Sequence, residues 1–240
     1  MRTKTIVCVF LFTLIISPSV FSADLNREQV IELLKHASKD KPANLRRKDL
    51  KGIDLSGLDL RNADLWGADL RKANLSQSNL EGLNLDMSVM TGINLSQANL
   101  QNVSIFGVFL KGADLSRANL SGSRIIATLD KANLSEATIT NVNWGVDMKN
   151  QPMGLMRVTL NNANLTGANL SGSDFNRALM RFAKLNNANL SNCNLYHVDL
   201  NGADLSGSDL SNADLTDAKL ESAILTGANL SGARLPSSMK

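Results

Sequence analysis

Residues 63–75 read Ala63-Asp64-Leu65-Trp66-Gly67-Ala68-Asp69-Leu70-Arg71-Lys72-Ala73-Asn74-Leu75. A small residue, then Asp or Asn, then Leu, then two polar or glycine positions make a unit of five. The same unit returns at Ala203-Asp204-Leu205 and Ala213-Asp214-Leu215, and the pattern runs from Ala43 to Leu235. Five matches neither the helical period of 3.6 nor the strand period of two. A short repeat held over such a length predicts a stacked solenoid, each unit burying its apolar side against its neighbours.

Composition agrees with that expectation. The chain is 43% hydrophobic but only 4% aromatic, so its interior must be built from Leu and Ala, which suits a narrow rod. The formal net charge of +3 is too close to neutrality to indicate nucleic-acid binding. Arg2 and Lys4 precede the apolar run Ile6–Ile16, Pro18 breaks it, and Val20-Phe21-Ser22 supplies small residues before Ala23. This is the layout of a secretory signal peptide over residues 1–22, cleaved between Ser22 and Ala23. The run is too short for a membrane span, which needs roughly 20 residues. Removing Arg2 and Lys4 takes the formal charge from +3 to +1. Cys8 leaves with the leader, and Cys193 alone cannot form an intrachain disulfide. The expected location is the periplasm or the cell exterior, with no membrane insertion after cleavage.

Residues 23–42 predict a capping helix. Asn26 is the N-cap with Gln29 three residues on. Val30, Leu33, Leu34 and Ala37 share one face, and Asp40-Lys41-Pro42 ends the helix. It is assigned to covering the first turn of the solenoid, with a partner-binding helix as the alternative.

The repeat over residues 43–240 resembles the pentapeptide-repeat family and identifies the chain as a bacterial, exported member. That resemblance implies an all-β solenoid, a right-handed quadrilateral β-helix with one pentapeptide per side and four per coil. About 39 units give about ten coils and, at ~4.8 Å per coil, a rod about 45 Å long. It also implies that the central Leu and the small residue two before it point inward, while the other three positions face solvent.

The central residues run in fives from Leu45 to Ile125, step by four to Leu129, and continue through Leu134, Ile139 and Trp144. Seven residues separate Met148 from Leu155, which predicts a small outward loop near 149–152; a repaired insertion and deletion is the other explanation.

In such a stack, residues twenty apart are neighbours on the surface. Trp66, Asp86, Phe106 and Ile126 then share an outward column, with Val89 and Phe109 across the adjacent corner and Met87 close by. These apolar residues form a candidate protein-binding patch, bordered by Lys51, Arg71, Lys72, Lys111 and Lys131. A second patch gathers Met156, Arg157, Arg177, Leu179, Arg181, Phe182, Tyr196 and His197. In it Arg157, Arg177 and His197 form a ladder able to hold a carboxylate or phosphate.

No arrangement of residues supports catalysis, a cofactor or a metal. His36 and His197 lie far apart, Cys193 sits at an inward position as a space-filler, and no phosphate loop or nucleophile elbow is present. The recurrent Asp residues and Asn-Leu-Ser sequons (Asn74, Asn94, Asn119, Asn133, Asn189, Asn229) are by-products of the repeat. The expected function is therefore a non-catalytic exported scaffold that binds an unidentified protein through one flank. Two alternatives stand beside it. Family relatives that mimic DNA and protect type II topoisomerases are cytoplasmic and acidic, unlike this chain. A glycoside-hydrolase-like β-helix would need paired carboxylates in a cleft. A basic start (Arg46, Arg47, Lys48, Lys51) and an acidic end (Asp199, Asp204, Asp209, Asp214, Asp217, Glu221) further predict weak, salt-sensitive end-to-end association.

Overall fold

Leu45, Leu50, Leu55 and Leu60 donate their backbone N–H groups to the carbonyls of Asp64, Asp69, Asn74 and Asn79 at 3.0, 2.9, 2.7 and 2.8 Å. The chain therefore returns over itself once every four units, and one such circuit is called a level below. The computed structural model describes residues 24–146 and 157–239. Within them, parallel bridges run from Asp49↔Asp69 to Asp214↔Arg234 along four sides, each named here by its first leucine. The result is an all-β stack with one short helix. The longest paired segments are β1 (Ala43–Asn44) on β2 (Ala63–Asp64), and β3 (Ser104–Phe109) on β4 (Arg124–Thr128).

The period of five follows from local geometry. Three extended residues alternate in, out, in, which buries the small residue and the Leu and exposes the residue between them. Two more residues make the corner. At Leu70-Arg71-Lys72-Ala73, for example, the Ala73 N–H closes on Leu70 O at 3.0 Å and Lys72 has φ +57°. A left-handed residue in the third place of the turn is what favours Gly and Asn at this position.

The two inward columns form one continuous core of Leu and Ala. It widens once, where Trp144 meets Phe175 edge-on with ring centroids 5.6 Å apart. The buried indole N–H donates to Ser123 Oγ at 3.2 Å, so the wide residue is accommodated without a stranded donor. Cys193 is buried in the column of small residues, where burial pushes its thiol up to about 11.

Helix α1 (Arg27–Lys35) lies over the first level. Asn26 and Gln29 form a reciprocal capping box, and Val30 is fully buried. The upward-facing backbone of that level is satisfied from this segment. Asp24 exchanges two hydrogen bonds with the Asp49 backbone, at 2.7 and 2.9 Å. Arg27 donates to Asp54 O and Ser56 O at 3.0 and 2.9 Å. At the other end, Leu220, Leu225, Leu230 and Leu235 are half-buried.

Two irregularities share one corner, between the Leu45 and Leu50 sides. Where β3 pairs with β4, the register shifts between Phe106 and Val108, so the upper corner holds one residue more than the lower. One level further on, the chain still follows the Leu45 side at Val146, whose N–H donates to Asn176 O at 3.1 Å. It is back on the Leu50 side at Thr159, whose N–H donates to Ala127 O at 3.1 Å. Pairing across this level spans 31 residues instead of 20, as Asn164 with Asn133 shows beside Asn94 with Asn74. The expected signal peptide, Met156 and the 149–152 loop lie outside the described residues.

Candidate functional site

The residue before each leucine usually has a structural duty. Its side-chain oxygen accepts the N–H of the residue after the leucine, as Asp54 does from Ser56 at 3.0 Å and Asn94 from Ser96 at 3.0 Å. On the Leu55 side these side chains also bond from level to level. Asn74 donates to Asp54, Asn94 to Asn74, Asn133 to Asp114 and Asn164 to Asn133, at 3.0–3.2 Å.

The Leu50 side breaks this rule over five consecutive levels. After Asp49 and Asp69 the outward position is taken by Val89, Phe109, Thr128, Thr159 and Leu179, each bridged to the next, before Asp199 restores the pattern. Of the five corner amides exposed by this change, those of Asn161 and Arg181 find side-chain acceptors elsewhere. Asp130 Oδ1 accepts from Asn161 N at 2.9 Å, and Asn161 Oδ1 accepts from Arg181 N at 3.1 Å. On the Leu45 side, where Ser104 holds the outward position, Asp86 does the same for Phe106 N at 2.9 Å and also accepts from Ser104 Oγ. Each acceptor sits on the level above its amide.

The first predicted patch is distributed along this face with one correction. Ile126 is not exposed. It is 3% accessible, because the corner that carries it is one residue short and draws its side chain inward. Trp66 is half-buried, with the Arg46 and Arg47 guanidinium groups 4.6 and 5.0 Å from its ring centroid. Phe106 and Val89 are half-buried, whereas Phe109 and Met87 are exposed at 62% and 55%. Met87 has φ +61°, a conformation that costs a side chain free energy where Gly would be unstrained.

In the second patch, Arg157, Arg177 and His197 do fall into one column, but each already has a partner. Arg157 Nη1 donates to Arg177 O at 3.4 Å, the Arg177 guanidinium lies over the Tyr196 ring, and His197 Nε2 is 3.6 Å from Asp217 Oδ2. Tyr196 and His197 also meet edge-on. The column is therefore not a convergent anion clamp. Arg181 is tied to Asp199, Nε to Oδ2 at 2.7 Å, and that carboxylate holds the guanidinium pKa above its usual value. Phe182 is 62% exposed and lies on Gly202, where an added Cβ would stand 2.5 Å from its ring.

The two patches are parts of one edge. Trp66, Met87 and Phe106 precede the 31-residue step on the corner between the Leu45 and Leu50 sides, and Arg157, Arg177, Tyr196 and His197 follow it on the same corner. Arg181 and Phe182 lie on the opposite corner of the Leu50 side. The missing signal was the column of five non-Asx residues, which can be read only once the 31-residue step is known.

Beside the short corner lies an open pocket of about 260 Å³ whose described lining includes Val108, Phe109, Ile126, Ala127 and Arg157. At the start of the face Arg71 and, secondarily, Lys51 hold the Asp69 carboxyl down at about 2, in spite of its partial burial. Among the described residues no group of His, Cys, Asp and Glu could hold a metal ion, and no helix is long and apolar enough to cross a membrane.

The family profile described as Pentapeptide repeats matches residues 43–77, 73–112, 84–122, 155–192, 173–212, 193–232 and 213–238. Among solved structures the chain is similar to HetL, a pentapeptide repeat protein involved in heterocyst differentiation regulation in the cyanobacterium Nostoc sp. strain PCC 7120. The identity is 30%, over 88% of this chain and 94% of HetL, with a TM-score of 0.37. A trypsin-treated form of QnrB1, a plasmid-mediated fluoroquinolone resistance protein, is 18% identical over 78% of this chain and 91% of its own, with a TM-score of 0.38. A pentapeptide repeat protein of the Arabidopsis thaliana thylakoid lumen is 27% identical over 59% of this chain and 68% of its own, with a TM-score of 0.24. No curated protein matches the chain significantly.

Proposed function

The chain belongs to the pentapeptide-repeat family, whose members fold as right-handed quadrilateral β-helices, and from that premise we propose that it is an exported, non-catalytic scaffold that binds a protein through the Leu50 side of its rod. The observation that carries this reading is the loss of the Asx side chain on five consecutive levels of one side, with Asp130 and Asn161 supplying the corner acceptor on two of them. The face offers Val89, Phe109 and Leu179 to a partner, beside an exposed Met87. Export rests on Arg2, Lys4, the run Ile6–Ile16 and the small residues before Ala23. A scaffold role is consistent with HetL, which takes part in regulation. The topoisomerase-protecting alternative is not favoured, since the formal charge is +3 and the likeness to QnrB1 reaches 18% identity.

The test pairs two measurements. Intact mass of the protein from fractionated host cells should give a species starting at Ala23 outside the cytoplasm; an uncleaved cytoplasmic species would refute export. Met87→Asp with Phe109→Asp should abolish partner capture while leaving thermal unfolding unchanged. Capture that survives this double substitution would move the binding site off the Leu50 side.

A further inference from the structure

The Leu50 side has a definite length, chemistry and charge, and these narrow what it can receive. Its five outward residues climb the rod one level at a time, about 19 Å in all at ~4.8 Å per level. Phe109 is the most exposed of the apolar ones, and the Thr159 hydroxyl is turned away from solvent. Both margins are cationic. On the corner with the Leu55 side, Lys72, Lys111 and Lys131 are exposed and make no ion pair among the described residues. On the opposite corner stand Arg157 and Arg177. The carboxylates on these margins, Asp86 and Asp130, are turned to the backbone amides of Phe106 and Asn161.

We propose that this face takes an acidic amphipathic α-helix of a partner protein, lying along the rod axis with one apolar side chain anchored in the corner pocket. The inference rests on the reading of the Leu50 side as the partner site and adds the chemistry of the partner. A helix turn rises ~5.4 Å, so apolar residues at successive turns stay nearly in step with levels ~4.8 Å apart. About 13 residues cover the strip at ~1.5 Å each. A strand laid along the axis repeats on one face every ~6.6 Å and falls out of step within two levels. A strand laid across the rod meets only one level. The pocket of about 260 Å³, with Val108, Ile126 and Ala127 behind and Arg157 at its rim, fits one large apolar side chain followed by a carboxylate. Lys72, Lys111 and Lys131 meet acidic residues on the other flank of the helix.

The probe is a fluorescein-labelled synthetic helix of about 14 residues, with Leu at every turn and Glu on both flanks, titrated by anisotropy against the purified full chain at low salt. Its counterpart carries Lys in place of Glu. The Glu peptide should bind, and about tenfold more tightly than the Lys peptide. Phe109→Asp should abolish binding. The triple variant Lys72→Glu, Lys111→Glu, Lys131→Glu should reverse the preference; these side chains are exposed and make no ion pair among the described residues, and a melting curve checks the fold. Equal binding of the two peptides, or no binding of the Glu peptide, overturns the proposal. If the triple variant still captures the native partner while Phe109→Asp does not, the acidic helix is wrong and the binding face stands. If Phe109→Asp changes neither peptide nor partner, the face itself falls.

Discussion

The Leu55 and Leu50 sides of the rod are built from the same five-residue unit and do different work with it. On the Leu55 side, Asp54, Asn74, Asn94, Asn133 and Asn164 spend their polar ends on the corner amide and on the neighbouring level. Those bonds occupy one side-chain oxygen of each residue and one N–H of each Asn. On the Leu50 side, Asp130 and Asn161 accept the corner amides of Asn161 and Arg181, and the outward position is given to Phe109 and its neighbours. Behind Thr159 and Leu179 the hydrogen-bonding duty of the outward position has moved to another residue.

The sharpest way to break the comparison is to transplant one side onto the other. Placing Val, Phe and Thr at Asn74, Asn94 and Asp114 without new acceptors leaves the amides of Ser76, Ser96 and Ser116 without their side-chain partners. The level-to-level bonds of Asn74 to Asp54, Asn94 to Asn74 and Asn133 to Asp114 go as well, so at about 1 kcal/mol for each of the six lost bonds the triple variant should lose about 6 kcal/mol in denaturant unfolding. An unchanged midpoint would mean that the Asx bonds do not hold the corners. Removing a relocated acceptor should cost less. Asp130→Ala should destabilise by about 1–2 kcal/mol and Asp130→Asn by much less, because the amide oxygen can still accept from Asn161 N. The smallest effect concerns the Asp69 end of the Leu50 side, where the outward residue is still acidic. Its carboxyl is lowered from 3.8 to about 2, so its stabilisation is complete above pH 3.8 and is lost as pH falls through about 2. Asp69→Asn keeps the corner acceptor and loses the ion pair with Arg71. The melting temperatures of wild type and variant should therefore converge between pH 4 and 2, and a constant gap would assign the difference to something other than charge.

The inward positions were legible from spacing, because burying Leu and Ala at fixed places in a unit is a local rule. That rule also explains the buried Cys193 and Trp144. Ile126 misled because a corner shortened by one residue does not show in composition; it shows only in the pairing of β3 with β4. Asp86 looked like part of a contact column, yet it serves the Phe106 amide one level below. The division of one edge into two patches has the same origin. Column membership after the break depends on whether Thr128 pairs 31 residues ahead, which is a contact distant in sequence and invisible to a five-residue period.

The shared corner also has a mechanical consequence. A rod of stacked levels stretched by its ends should come apart one circuit at a time, each releasing a similar length of chain. Twenty residues give ~70 Å of contour, whereas the circuit spanning 31 residues gives ~110 Å. In an optical trap that single long step would act as a ruler mark, reporting from which end the rod had unravelled and how far.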